Sequence, residues 1–150
     1  MLVESAGRDI YAFHAGFGRD KISGKTDDGN PDTIGFAIGC LTEFGTVTDD
    51  LTINLKTGRV FETSAGTFKA SPNAVSWQPG IIEYVTGGSG DDTITGDAEG
   101  NNIAGYSGDD TIDVSGDPSG EADFVNCDDG DDTVIKDPGD STMGCEHVLP

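Results

Sequence analysis

The 150-residue chain carries 28 acidic side chains against 8 basic ones, a formal net charge of −20, together with 23 glycines, where average glycine usage is about 7%. A charge of that sign and size repels nucleic acid and anionic membranes, and no run of about 18 apolar residues is present to span a bilayer, so neither a nucleic-acid partner nor membrane insertion is expected. The length suits one domain, or one repetitive domain with a differently built half.

The first residues, MLVESAGRDIYAF, lack the basic and apolar regions of a secretory leader, so either export takes another route or the chain begins inside a longer one. Asp9-Ile10-Tyr11 follows Gly7. Ala15 to Ser23 then places Asp20 two residues before Ile22, and Asp32-Thr33-Ile34 follows Gly29-Asn30-Pro31. Between residues 36 and 86 the pattern changes. Leu51, Ile53 and Leu55 alternate with Thr52 and Asn54, the period of a half-buried strand, and Thr57-Gly58 closes it before a second strand at Val60 and Phe61. A looser segment from Ser64 to Gly80 holds Pro72, Pro79 and Trp77, and Ile81 to Thr86 then runs into the stretch that begins at Gly87. No helix is expected.

Gly87 to Lys136 is an internal repeat. Its units read GGSGDDTIT, GDAEGNNIA, GYSGDDTID, an irregular GDPSGEADFVN and CDDGDDTVIK, so Ile94, Ile103 and Ile112 fall nine residues apart, Val125 after thirteen and Val134 after nine more. A glycine-rich hexad ends in Asp92, Asn101, Asp110, Asp123 or Asp132, and one aliphatic residue follows in each unit. The glycines permit tight reversals, and the pairs Thr93-Ile94, Thr111-Ile112 and Thr133-Val134 start strands. One aliphatic per strand cannot be buried by a lone unit, so successive units must stack, two to a coil.

Stacking aligns Asp92, Asp110 and Asp132 on one edge, with Asn101 and Asp123 on the other. Carboxylates a few ångströms apart repel by about 1 kcal/mol or more per pair even in high dielectric. Residues 87 to 147 contain fourteen Asp and three Glu against Lys136 alone, a net −16, so a cation is needed between the turns. Six to eight oxygen ligands from carbonyls and carboxylates suit calcium, whereas zinc would want the His and Cys that these units lack.

The first unit matches G-G-x-G-x-D-x-U-x at every fixed position, and here the chain resembles the RTX, or hemolysin-type, calcium-binding nonapeptide repeat family. The resemblance implies an all-β fold: a parallel β-roll (β-solenoid) over 87–150 ending in a cap, preceded by an N-terminal β region over 1–86 with degenerate repeats. There Ala15 to Ser23 departs from the motif only at its first glycine. The intervals from Asp9 to Asp20 to Asp32 are eleven and twelve residues, not nine, so a metal-free, turn-capped hairpin stands beside the repeat reading. The stretch from Asp50 into the first unit resembles the lead-in of RTX-like chains, read as continuous coils with longer, metal-poor turns, and Trp77 is expected as a cap over the open end of the hydrophobic column. Calcium ligands are expected from the side chains of Asp92, Asn101, Asp110, Asp123 and Asp132, with Asp20 as an outlying candidate, and from the turns at Gly88, Gly90, Gly105, Ser107, Gly108 and Gly130.

Cys127 and Cys145 bracket the final unit, as in some short secreted RTX-like proteins, which implies a disulfide contributing roughly 3 kcal/mol; two buried thiols are the alternative. Cys40 is left as a small buried residue, or as a partner for another cysteine or a second chain. There is no H-E-x-x-H, G-x-S-x-G or P-loop, and the two histidines, His14 and His147, lie near opposite ends. The chain is therefore expected to be no enzyme. The expectation is a secreted, extracellular, bacterial, monomeric calcium-binding protein or, alternatively, an accessory module of a larger secreted enzyme contacting polysaccharide or a cell surface.

Overall fold

The computed structural model describes residues 2–3, 7–14, 17–23, 30–36, 47–63 and 73–150. Cys40, the glycines Gly16 and Gly29, and the stretch from Ser64 to Pro72 lie outside the described residues. The all-β expectation holds: apart from a single 3-10 turn at Leu55–Thr57, every regular element described is a strand. In chain order these are β1 (Leu2–Val3), β2 (Ile10–Ala12), β3 (Arg19–Ser23), β4 (Thr33–Gly35), β5 (Asp50–Asn54), β6 (Arg59–Thr63), β7 (Ala74–Ser76) and β8 (Tyr84–Thr86). There follow β9 (Thr93–Thr95), β10 (Asn102–Ser107), β11 (Thr111–Asp113), β12 (Phe124–Asp129), β13 (Thr133–Ile135), β14 (Ser141–Met143) and β15 (His147–Leu149).

They form two sheets. One has the order β1-β3-β7-β6-β5-β9-β11-β13-β15 and the other β14-β12-β10-β8-β4-β2. From β8 onward each strand joins the opposite sheet from its predecessor, and every pairing there is parallel. The aliphatic period sets this register. Ile53, Ile94, Ile112 and Val134 stand opposite one another in the first sheet, and Ile34, Val85, Ile103 and Val125 in the second. All eight are essentially inaccessible to solvent. Alternation of side chains along each strand turns these rows inward and leaves Thr93, Thr111 and Tyr84 on the outer faces. The four-residue insertion does not disturb the ladder: Ile103 faces Val125 and Ile112 faces Val134, because the extra residues are taken up in the turn between Val114 and Asp123.

Two features of the N-terminal half differ from expectation. β5 to β7 are not continuous coils. Gly58, at φ +60, closes a reversal with its N–H bonded to Leu55 O, and the Asn54 side chain caps the turn by accepting from Thr57 N. The connection is too short to cross to the other sheet, and parallel pairing requires such a crossover, so β6 pairs antiparallel with β5 and β7 antiparallel with β6. Conversely, the region around Asp9, Asp20 and Asp32 forms no hairpin: β2 pairs parallel with β4, and β1 and β7 both pair parallel with β3. Trp77 belongs to the continuous buried cluster, at the end of β7 between β3 and β6, and not at an open end of either sheet.

Candidate metal centre

The residue just before each of β9 to β13 has a backbone N–H that the ladder leaves over, and the acid before the next strand of the same sheet accepts it; Leu51, within β5, stands in the same relation to Asp92. Leu51 N donates to Asp92 Oδ1 (2.7 Å), Asp92 N to Asp110 Oδ1 (2.7 Å), Asp110 N to Asp132 Oδ1 (2.8 Å) and Asp132 N to Glu146 Oε2 (3.0 Å). On the opposite edge Asn101 N donates to Asp123 Oδ1 (2.7 Å) and Asp123 N to Asp140 Oδ1 (3.0 Å). The front of the chain repeats the device, with Asp9 N bonded to Asp32 Oδ1 (2.9 Å) and Asp32 N to Glu83 Oε2 (2.6 Å). Asp92, Asn101, Asp110, Asp123 and Asp132 are all buried.

The second oxygens separate the sites. Asp92 Oδ2 accepts from Gly88 N (2.6 Å) and Asp140 Oδ2 from Asp137 N (2.8 Å), while Asn101 exchanges two hydrogen bonds with Asp97. Asp110 Oδ2, Asp123 Oδ2 and Asp132 Oδ2 are buried with no hydrogen-bond partner. For Asp110 and Asp132 the local cause is visible: where the first unit has Gly88 four residues before its acid, these units have Tyr106 and Asp128, which face each other across β10 and β12 at positive φ (88° and 66°). Burial pushes the carboxyls up, to about 7 for Asp92, about 8 for Asp110 and about 6 for Asp123, and in the same direction for Asp132. Neighbouring carboxylates add to this, Asp92 and Asp132 at Asp110 and Asp140 at Asp123.

The glycines matter here for space. A side chain at Gly105 would collide with Asp110 Oδ2 and with Cys127 O of β12, and one at Gly87 with Gly105 O and Asp92 Oδ2. Likewise Gly130 lies on Gly108 O and Gly108, at φ +114, on Gly90 O. Carbonyl and carboxylate oxygens thus share gaps that only glycine leaves open. Among the described residues no three His, Cys, Asp or Glu side chains converge on a point, so any ion between these turns would take most of its ligands from backbone carbonyls. The donor set of oxygens alone, with anionic members lacking a proton donor, fits a hard divalent cation.

Gly88 and Gly90 sit against Val47 and Asp50, at and just before the start of β5, and Ser107 pairs with Asp129. Asp20 is elsewhere: it lies within β3 opposite Val75, with three strands between it and β9, outside the columns. The column members that sequence reading missed are Glu83, Asp140 and Glu146. Val85, nine residues before Ile94, could have marked Glu83; Asp140 is followed by Thr142 where an aliphatic residue was sought, and its unit is one residue short.

A second, exposed ladder runs beside the first with the opposite hydrogen-bond direction. Asp91 N donates back to Asp50 Oδ1 (3.0 Å), Asp109 N to Asp91 Oδ1 (2.9 Å) and Asp131 N to Asp109 Oδ1 (3.0 Å), and His147 Nε2 lies 2.9 Å from Asp131 Oδ1. In the last turn the cation is a side chain: Lys136 Nζ donates to Asp137 O (2.9 Å) and Asp140 O (2.7 Å). Cys127 and Cys145 form a disulfide, tying β12 to the segment between β14 and β15. Among the described residues no helix is long and apolar enough to cross a membrane.

In comparisons with known proteins the chain matches no family model and no curated protein. The resemblance of its repeats to the RTX family therefore rests on the motif residues themselves.

Proposed function

We propose that the repeat half is a calcium-binding, RTX-like parallel β-roll whose folding is coupled to the ion, in a protein secreted to an oxidising, calcium-rich medium. One observation carries this reading: the buried, partnerless oxygens of Asp110, Asp123 and Asp132, each beside another carboxylate, in a segment of net charge −16. A buried carboxylate oxygen without a donor is costly, by roughly 1–3 kcal/mol or more, and calcium bridging carbonyls and carboxylates removes that cost. The Cys127–Cys145 disulfide agrees with an extracellular location.

Extracellular modules bind calcium with dissociation constants of about 10⁻⁴ to 10⁻³ M. At millimolar calcium each site then adds up to about 1.4 kcal/mol, and three to five sites roughly 4 to 7, comparable to the whole stability of a small domain. Chelation is expected to expand residues 87–147 and calcium to restore them, whereas magnesium, which demands a smaller octahedral shell and sheds water reluctantly, restores them poorly. Circular dichroism and small-angle scattering with chelator, then calcium or magnesium, test this. A spectrum and radius indifferent to calcium would mean that the repeats fold by packing alone.

A further inference from the structure

Seven of the eight basic residues precede Gly87, and two of them, Arg19 of β3 and Arg59 of β6, line one groove on the outer face of the nine-stranded sheet. β7 runs between their strands. Arg19 stands opposite Ala74 and Arg59 opposite Ser76, so the two arginines flank β7 from opposite sides, two residues out of step. The alternate residues Ile22, Val60 and Val75 are buried, which turns both arginines outward. The short side chains of Ala74 and Ser76 make the floor, and Phe61, in the row of Arg19 and Ala74, walls it. The groove has a volume of about 290 Å³, below the roughly 300–1,000 Å³ of sites for drug-sized ligands, so its occupant is small. Among the described residues neither arginine is held in an ion pair, although the chain has 28 acidic side chains.

We infer that this groove binds a small, doubly charged tetrahedral oxyanion: phosphate or sulfate, as the free ion or as the terminal group of a small ester. Strands lie about 4.8 Å apart, so the backbones of β3 and β6 stand about 10 Å apart across β7, a gap that two arginine side chains leaning inward over Ala74 and Ser76 close. A guanidinium presents its donors as a planar fork. A carboxylate has two oxygens and is filled by one fork, whereas a tetrahedral oxyanion has oxygens for a fork from each side, with lone pairs left for the Ser76 hydroxyl. Charge points the same way. Lys21 stands opposite Ser76 in the row of Arg59, so three cations surround the groove against Asp20, which borders it from the inward-facing row of Val75; the excess of two positive charges matches a dianion. β7 is three strand spacings from β9, roughly 14 Å, beyond the Debye length of about 8 Å at physiological ionic strength, so the acidic columns do not cancel that excess. The groove shares no residue with those columns, and the inference stands or falls apart from the calcium reading.

The test is a titration of the full chain in calcium, followed by amide resonances, with sulfate, methyl phosphate, dimethyl phosphate and acetate. It is run at pH 8, where a phosphate monoester, with its second pKa of about 6, is doubly charged. Sulfate and methyl phosphate are expected to shift the resonances of Ala74 and Ser76 and to bind at least tenfold tighter than the monoanions dimethyl phosphate and acetate. A preference for methyl phosphate supports the esterified ligand, and one for sulfate the free ion. Arg59→Lys keeps the charge and removes the fork, and is expected to weaken binding of the dianions at least fivefold; Arg19→Lys takes its place should the first misfold. Lys56→Gln, which removes a charge outside the groove, is expected to change binding less than twofold. Absence of binding at millimolar sulfate and methyl phosphate, acetate binding as tightly as either, or equal losses in Lys56→Gln and Arg59→Lys would each overturn the assignment.

Discussion

Asp110 is asked to be two things at once: an acceptor for the Asp92 N–H through Oδ1, and a charge whose other oxygen has no donor. Its carboxyl, like those of Asp92 and Asp123, is raised from an ordinary value of 3.8 to between about 6 and about 8, chiefly by burial. A folded-state value above the unfolded one means that the proton stabilises the fold. That contribution is complete below the unfolded value and is lost as pH rises through the folded values. The ion-free protein is therefore expected to lose stability steadily from pH 5 to pH 9 in thermal melts with chelator. With saturating calcium the dependence flattens over that window, because the ion and not the proton neutralises the carboxylates. Asp110→Asn keeps an oxygen for the Asp92 N–H, as Asn101 keeps one for Asp97, and removes the charge. It should raise the ion-free melting temperature at pH 8 while weakening calcium binding tenfold or more. Wild-type calcium affinity in that variant would reduce Asp110 to a backbone cap.

At the scale of elements, what the sequence discloses depends on how far apart the cooperating residues lie. The strands β9, β11 and β13 are legible because Ile94, Ile112 and Val134 each carry their own glycine turn and threonine, and the stacking of Asp92, Asp110 and Asp132 follows from that period. β7 was hidden in a segment read as loose, because Ala74-Val75-Ser76 has a single aliphatic residue. It is a strand through its neighbours, Val60 on one side and β3 on the other, which come from separate stretches of the chain. β14 and β15 were likewise concealed: their rows end in Thr142 and in the half-exposed Val148, so little apolar burial holds them. Covalent and ionic ties replace it, the disulfide on one side and the Lys136 ammonium between the Asp137 and Asp140 carbonyls on the other. Reduction should thus act locally, costing about 3 kcal/mol in the chain-entropy account. Hydrogen exchange in calcium is expected to show residues 140–149 losing protection on reduction while 93–113 keep theirs. A uniform loss throughout would mean that the bridge supports the whole stack.

For the molecule as a whole, the two aspartate ladders set a direction. In the buried ladder every N–H looks to the acid before the next strand of its sheet; in the exposed one every N–H looks to the acid before the preceding strand. Losing a partner matters only where water cannot replace it, about 1–3 kcal/mol for a buried N–H and little for an exposed one, so the buried ladder decides. Taking strands away from the C-terminal side orphans buried donors, such as the N–H of Asp110 once Asp132 is gone. Taking one from the N-terminal side frees only a carboxylate oxygen, which a proton or an ion can satisfy. A fragment of residues 83–150 is therefore expected to show a calcium-dependent change in circular dichroism, and one of residues 1–116, which leaves Asn101 and Asp110 without acceptors, to show none; the reverse outcome would mean that apolar stacking and not the ladder governs. The column is in this sense one-way: it tolerates being shortened from its front, and in a chain synthesised from its N-terminus each acid of the buried ladder arrives after the N–H that waits for it.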